Sequence, residues 1–331
     1  MHSNSERPRI SVLGASYNHV NFLSQAVQSI LNQEGPSFEL ILIDDASTDG
    51  TQDILKGISD PRVRTILRET NQGVCRTFNE AFSHARGEYI AFMPGDDVFL
   101  PHKLAIQAAY LDEHPATVAV FSLMRPIDDT GRQIQNSLLQ KAYLAHPNSR
   151  IDVLRMAFLG HNCLFAPTEM LRREAIASEP YFYDIRCSQG QDWEQHVRVA
   201  LKGEIAVIPK PLVHYRMHDN NVSKASPAQA ACLSVEHDLV LDNFLRMDDP
   251  ILFRRTFPEL VGEHNPTAEH MPYLLARAAI GTQHARLKQW GLRVLGGLLS
   301  TDGKARRLEK ATGFTLKDYY ALQRDVGRLG A

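Results

Sequence analysis

Over the first hundred positions, apolar residues fall in short unbroken runs separated by stretches where they recur every three or four residues. Arg9–Tyr17 opens as such a run and ends in small residues that allow close backbone approach; Phe38–Ile43, Val63–Leu67 and Glu88–Met93 are others. All are too short for helices and read as buried strands. Between them, His19–Gln33 carries Phe22, Ala26, Val27, Ile30 and Leu31 on one helical face, with Asn18 in position to cap it. Ser47 or Thr48 is expected to cap a helix reaching Ile58, and Val74–Ala85 predicts a third. Strands alternating with helices define an α/β class: a mostly parallel sheet with helices on both faces.

Further along, a helix opened by Pro101 is expected to run to Asp112, then a strand over Val118–Leu123 and a hairpin turn at Asp128–Gly131. Leu138–Arg150 has mixed composition and weak periodicity. Phe158–Phe165 reads as another strand, a helix begins near Asp192, and Ile205–Pro209 and Leu212–Ser223 close this part of the chain. From Ala225 the pattern is helical: Ala228–Met247, Thr267–Ala279, Thr282–Leu299 and Thr315–Leu329, broken by Pro250, Pro266, Gly303 and Gly313. Leu287, Trp290, Val294, Leu295 and Leu298 form a stripe flanked by Arg286, Lys288 and Arg293. It describes either a helix packed on the sheet domain or a twin subunit, or one lying on a membrane surface. The expected domains are 1–223, divided near position 97, and a helical region over 224–331.

With 331 residues, 44% of them hydrophobic and 22% charged, the chain can bury a large core. Its net charge of -2 supplies no general attraction to nucleic acid or anionic lipid. The four cysteines are scattered without a CxxC, which suits reduced thiols in a cytosol. The N-terminal residues have no apolar core, and no run of about 18 apolar residues occurs, so neither a signal peptide nor a spanning helix is expected. The expected location is cytoplasmic, or peripheral at the inner face of a membrane.

Candidate chemistry collects where strands end. Asp44 and Asp45 follow the second strand, and Asp96 and Asp97 follow the fourth just past Pro94-Gly95. Ligands of open α/β sheets bind at the carboxyl ends of strands, and carboxylates there can hold a divalent cation and, through it, a diphosphate. Gly-Asp-Asp is also ordinary turn chemistry. The sequence contains neither GxGxxG after the first strand nor GxxxxGK[ST], which argues against a dinucleotide dehydrogenase or a P-loop enzyme.

Five blocks in order, Ser11-Val-Leu-Gly-Ala-Ser-Tyr-Asn18, Ile43-Asp-Asp-Ala-Ser-Thr-Asp-Gly-Thr51, Asn71-Gln-Gly-Val74, Ala85-Arg-Gly-Glu-Tyr-Ile-Ala-Phe92 and Gly95-Asp-Asp97, resemble the family 2 glycosyltransferases, inverting enzymes of the GT-A fold. The resemblance covers roughly Arg9–Ser223. It implies a nucleotide-diphospho-sugar donor (a UDP-sugar is favoured), a divalent metal (Mn2+ or Mg2+) and transfer to a hydroxyl of a carbohydrate or lipid-linked acceptor. No nucleic acid partner is implied. It also implies that Tyr17 and Asp45 meet the nucleobase, with Asp44 supporting that pocket, and that Ala15, Asn71 and Gly73 bind substrate.

Asp96 matches the last acid of the family's DxD motif, whose first acid is here Pro94. The resemblance then implies a metal held by Asp96 alone with phosphates and water, or jointly with Asp97. Gly14-Ala15 replaces the usual apolar-Pro pair. His218 on the Tyr-Arg-Met-His segment, near Lys210 and Arg216, is placed to reach metal or diphosphate, and His161 and Asn162 are placed near the acceptor. Asp192 matches the Asp of the family's Glu-Asp block, with Gln191 in place of the Glu, and is the expected general base; Glu194 is the outside candidate. A sugar-phosphate nucleotidyltransferase would also use carboxylates and metal, but Gly14–Asn18 has no Arg or Lys. A catalytically silent nucleotide-sugar-binding protein stands as a third reading. Peripheral membrane contact and homodimerisation through the C-terminal helices are both open.

Overall fold

Four apolar runs form parallel strands, β1 (Ile10–Ser16), β2 (Phe38–Asp44), β3 (Val63–Leu67) and β4 (Tyr89–Pro94). Ile10 lies opposite both Phe38 and Tyr89, and Ala15 opposite both Ile43 and Pro94, so β1, β2 and β4 end along one edge. The computed structural model describes residues 7–135, 147, 149–219, 221, 224, 226–262 and 266–327. Most of the weakly periodic stretch after Leu138 lies outside these.

β5 (Val98–Phe99), β6 (Thr117–Ile127), β7 (Met170–Arg172) and β8 (Glu204–Arg216) complete one eight-stranded sheet, ordered β3-β2-β1-β4-β7-β6-β8-β5. β7 runs antiparallel to β4 and β6, and β5 antiparallel to β8, while β6 and β8 are parallel. The sheet is therefore mixed. One face buries Val12, Leu40, Leu42, Ala91 and Met93 against α1 (Leu23–Leu31) and α4 (Lys103–Glu113), through Leu23, Ala26, Ile30, Leu104 and Leu111. Each such side chain contributes roughly 1.5–3 kcal/mol of burial. Elsewhere Phe92 packs against Phe78 of α3 (Val74–His84) and against Phe182, with ring centres 5.9 and 5.2 Å apart. Gly87 is glycine because a methyl there would stand 2.4 Å from the Ser11 nitrogen; its own N–H donates to Ser11 Oγ at 2.8 Å, seating β4 on β1.

Helix starts differ from expectation. α1 begins at Leu23, because Asn18 adopts φ 56° and its Oδ1 accepts the Thr48 N–H at 2.9 Å rather than capping a helix. α2 (Thr51–Lys56) follows Gly50, and Asp49 Oδ1, not Ser47 or Thr48, accepts the Thr51 N–H. The expected strand over Phe158–Phe165 is absent. Phe158 instead ends α5 (Arg150–Phe158), opened by Ser149 Oγ accepting the Asp152 N–H, and Gly160 turns the chain at φ 93°. α6 (Arg173–Ala177) and α7 (Gln191–Lys202) follow.

The chain divides into two units, Met1–Glu236 and His237–Ala331, the division falling inside α8 (Pro227–Phe244). The second unit holds α9 (Pro250–Thr256), α10 (Met271–Gly281), α11 (Ala285–Leu298), α12 (Asp302–Thr312) and α13 (Leu316–Gly327). Leu287, Trp290, Val294 and Leu295 are buried, and Trp290 Nε1 donates to Asp242 at 2.9 Å. The apolar stripe of α11 is thus occupied by the protein's own core, where the sequence left a membrane face open. No described helix is long and apolar enough to cross a membrane.

Candidate active site

Two loops at the carboxyl edge of β1 and β2 are laced together. Asn18 and His19 donate their N–H groups to Ser47 Oγ and Thr51 Oγ1 at 2.8 and 2.9 Å, and Val20 N–H donates to Asp49 Oδ2 at 3.0 Å. Asp44 is fully buried beneath them, its Oδ1 accepting from Ser47 N–H and Gln52 Nε2 at 2.8 and 2.9 Å. Asp45 Oδ1 accepts from Gln72 N–H and Arg68 Nη1, both at 2.9 Å, and Oδ2 from Gly73 N–H at 2.7 Å. Three acceptor positions of this 5%-exposed carboxylate are therefore used, two in fixing the Asn71–Gly73 turn that starts α3 and one on Arg68. That leaves one for a ligand. Above these acids Tyr17 stands 48% exposed, an aromatic face with room for a base.

The turn after β4 is held by β8, which returns 120 residues later. Arg216 Nε donates to the Asp96 carbonyl at 2.8 Å, Nη1 to the Asp128 and Asp129 carbonyls, and Nη2 to Gln25 Oε1. Its guanidinium lies over the Phe22 ring at 4.9 Å and is 1% exposed. Asp97 does not join Asp96. It is buried, its Oδ1 accepts the Arg216 N–H at 2.9 Å, and burial beside Asp96 raises its pKa well above the usual carboxylate range. In the structure it ties the turn after β4 to β8.

Asp96 Oδ2 meets His218 Nε2 at 3.0 Å and accepts from Asn221 Nδ2 at 3.2 Å; the His218 ring stacks on Phe22 at 4.8 Å. A carboxylate beside an imidazole is a two-donor set. Among the described residues no cluster of three or more His, Cys, Asp or Glu could hold a metal. Such a pair fits a Mg2+ or Mn2+ ion whose remaining positions are filled by phosphate oxygens and water. His19 was not anticipated. Its ring stands edge-on to His218 with centres 6.5 Å apart, and its buried Nδ1 would lie 2.4 Å from a methyl on residue 95, so only glycine fits there. Burial lowers the His19 pKa. The Tyr17-Asn18-His19 triplet after a strand was the available signal.

Asp192 occupies the first turn of α7 and is partly exposed. Its Oδ1 accepts the Trp193 N–H at 2.7 Å and Asn162 Nδ2 at 3.3 Å. Burial pushes its pKa up to about 6, against the opposing pull of those two hydrogen bonds. A carboxylate titrating there is matched to taking a proton near neutrality. Asn162 and His161 are on the exposed loop after α5. Glu194 is placed differently: 1% exposed, it receives Arg198 Nε at 2.9 and 3.0 Å and Nη2 at 2.9 Å, an ion pair within α7.

Residues 11–177 match the family described as Glycosyl transferase family 2. The chain belongs to this family. A putative teichuronic acid biosynthesis glycosyltransferase, TuaG, of Bacillus subtilis is 36% identical over 66% of this chain and 82% of its own length. The succinoglycan biosynthesis protein ExoO of Rhizobium meliloti is 27% identical over 75% of this chain and 69% of its own. The chain spans 60% of the length of the mycobacterial relatives, themselves uncharacterized, that it matches at 34% identity. The fold is GT-A. The structure of S. aureus TarS 1-349 in complex with UDP superposes with a TM-score of 0.59 at 18% identity, covering 98% of this chain and 92% of that one. The mannosyltransferase PcManGT from Pyrobaculum calidifontis, in complex with GDP-Man and Mn2+, gives 0.54 at 17% identity, covering 97% and 88%.

Proposed function

We propose that this family 2 protein is an inverting glycosyltransferase that moves a sugar from a nucleotide-diphosphate donor, a UDP-sugar by preference, to a hydroxyl of a glycan or lipid-linked acceptor during surface polysaccharide or glycoconjugate synthesis. The observation that carries the reading is the Asp96–His218 pair, held by Arg216 where the parallel strands end. Tyr17 stacks on the base while Asp45 uses its remaining acceptor position toward it. Asp96, with His218 beside it, would hold a divalent cation, which would supply positive charge against the diphosphate. Asp192 takes the proton of the acceptor hydroxyl as that oxygen bonds to the anomeric carbon, and the diphosphate leaves from the opposite face with the bonding electron pair.

Polysaccharide-synthesis names among the relatives favour the acceptor class, and neighbours bound to UDP, UDP-GlcNAc and GDP-Man favour the donor class. The test is calorimetric titration of UDP, GDP and their sugar conjugates with Mn2+ and with EDTA. Cation-dependent binding of one nucleotide, lost in Asp96→Ala, is expected. Absence of binding for every nucleotide, or binding indifferent to both chelation and Asp96→Ala, refutes the reading.

A further inference from the structure

We propose that Glu236, on the α8 helix beyond the family-matched stretch, is a positioning residue for Asp192. Its carboxylate fills the backbone turn that starts α7. Oε1 accepts from Ser188 N–H at 2.6 Å and Ser188 Oγ at 2.7 Å, and Oε2 accepts from Gln189 N–H at 3.1 Å and Gly190 N–H at 2.6 Å. Every acceptor direction of the carboxylate is thus satisfied by residues two to four positions before Asp192, and Glu236 is 5% exposed. Gly190 admits this approach, since a methyl there would stand 3.2 Å from Oε2.

α7 has no side-chain N-cap of its own, so the donors ahead of its first turn are closed by a group 46 residues away. A negative charge at a helix N-terminus is also favoured by the helix dipole. The same charge opposes ionisation of Asp192, acting with burial and against the hydrogen bonds from Trp193 and Asn162. Glu169 just before β7, Tyr183, and Cys75 on α3 are also coupled electrostatically to Asp192. Glu236 differs from them in gripping the backbone that carries the base.

The inference rests on the assignment of Asp192 as base, and one readout is independent of it: amide hydrogen exchange at Ser188–Trp193. Glu236→Ala should speed exchange there and lower kcat by on the order of 10- to 100-fold, the worth of a small misplacement, with UDP–Mn2+ affinity unchanged. Glu236→Asp keeps the charge and should recover part of the rate. Glu236→Gln cannot accept through its amide nitrogen, so it should lose part of the rate while the acidic limb of the pH–kcat/KM profile moves to lower pH. It also carries the test if the Ala variant does not fold. Unchanged exchange in the Ala and Gln variants, or raised exchange with unchanged kcat, overturns the proposal. Full activity of Asp192→Asn would remove the base assignment while leaving the exchange result to be judged by itself.

Discussion

Replacing Asp192 by Asn should make the protein more stable at neutral pH while nearly abolishing turnover. The carboxyl titrates near 6 instead of an ordinary 3.8 because burial penalises its charge. A shift of about 2 units at roughly 1.4 kcal/mol each puts about 3 kcal/mol, as a ceiling, into the cost of ionising it in the folded state. The sign follows from linkage. Between pH 4 and 6 the folded protein keeps a proton that the unfolded chain has lost, so this group's contribution to stability falls as pH rises through that window. Asn resembles the protonated acid and carries no such cost. The two proteins should therefore be alike near pH 4 and diverge to a gap of about 1–3 kcal/mol above pH 7, several degrees in Tm at roughly 2–4 °C per kcal/mol for a unit of this size. Over the same range kcat should fall by about 10²–10⁴, the usual worth of a general base, and wild-type kcat/KM should decline as pH drops through 6. Thermal melts from pH 4 to 8 alongside initial rates make the test. If Asn is no more stable at pH 7.5 than at pH 4.5 relative to wild type, the carboxyl is not held out of its charged form by burial.

Asp96→Ala should weaken UDP–Mn2+ binding at least tenfold by calorimetry with little change in Tm. Asp45→Ala should instead lower stability by about 1–3 kcal/mol, because the Gln72 and Gly73 N–H groups lose their acceptor while Arg68 keeps Glu80 as a partner. Glu194→Gln should likewise appear in denaturant midpoints rather than in the pH profile, since it leaves Arg198 one neutral amide oxygen in place of a carboxylate. Gly95→Ala should reduce UDP–Mn2+ affinity through the 2.4 Å collision with His19, and adding His19→Ala should restore part of it; additive losses would show that the two residues do not press on each other.

The parallel half of the sheet was readable because strands buried on both faces leave apolar runs, and no β1 to β4 boundary moved by more than one residue. The loops were not, because the decisive conformations are backbone ones: Asn18 and Ala46 sit at φ 56° and 66°, which no periodicity announces. α5 went unseen although Ser149-Arg-Ile-Asp152 carries a capping pattern, because weak amphipathicity masked it. Motif order singled out Asp44, Asp96, Asp192 and His218, and of these the structure brings Asp96 and His218 together. Arg216 was read only as a neighbour of His218, while Asn221, His19 and Glu236 make contacts distant in sequence or through backbone, and contacts of that kind leave no local spacing to read.

The grip of Arg216 on Asp96 also sets a clock. All four parallel strands and the base-side loops are encoded before position 98, yet the turn bearing Asp96 is fixed by a residue 120 positions later. At a synthesis rate of about 5–20 residues per second, roughly 6–24 seconds separate the two on the ribosome. During that interval the nascent chain can assemble the edge that would face a nucleobase without the pair that would hold its diphosphate. Competence for the donor arrives as a late and single event, when β8 lands.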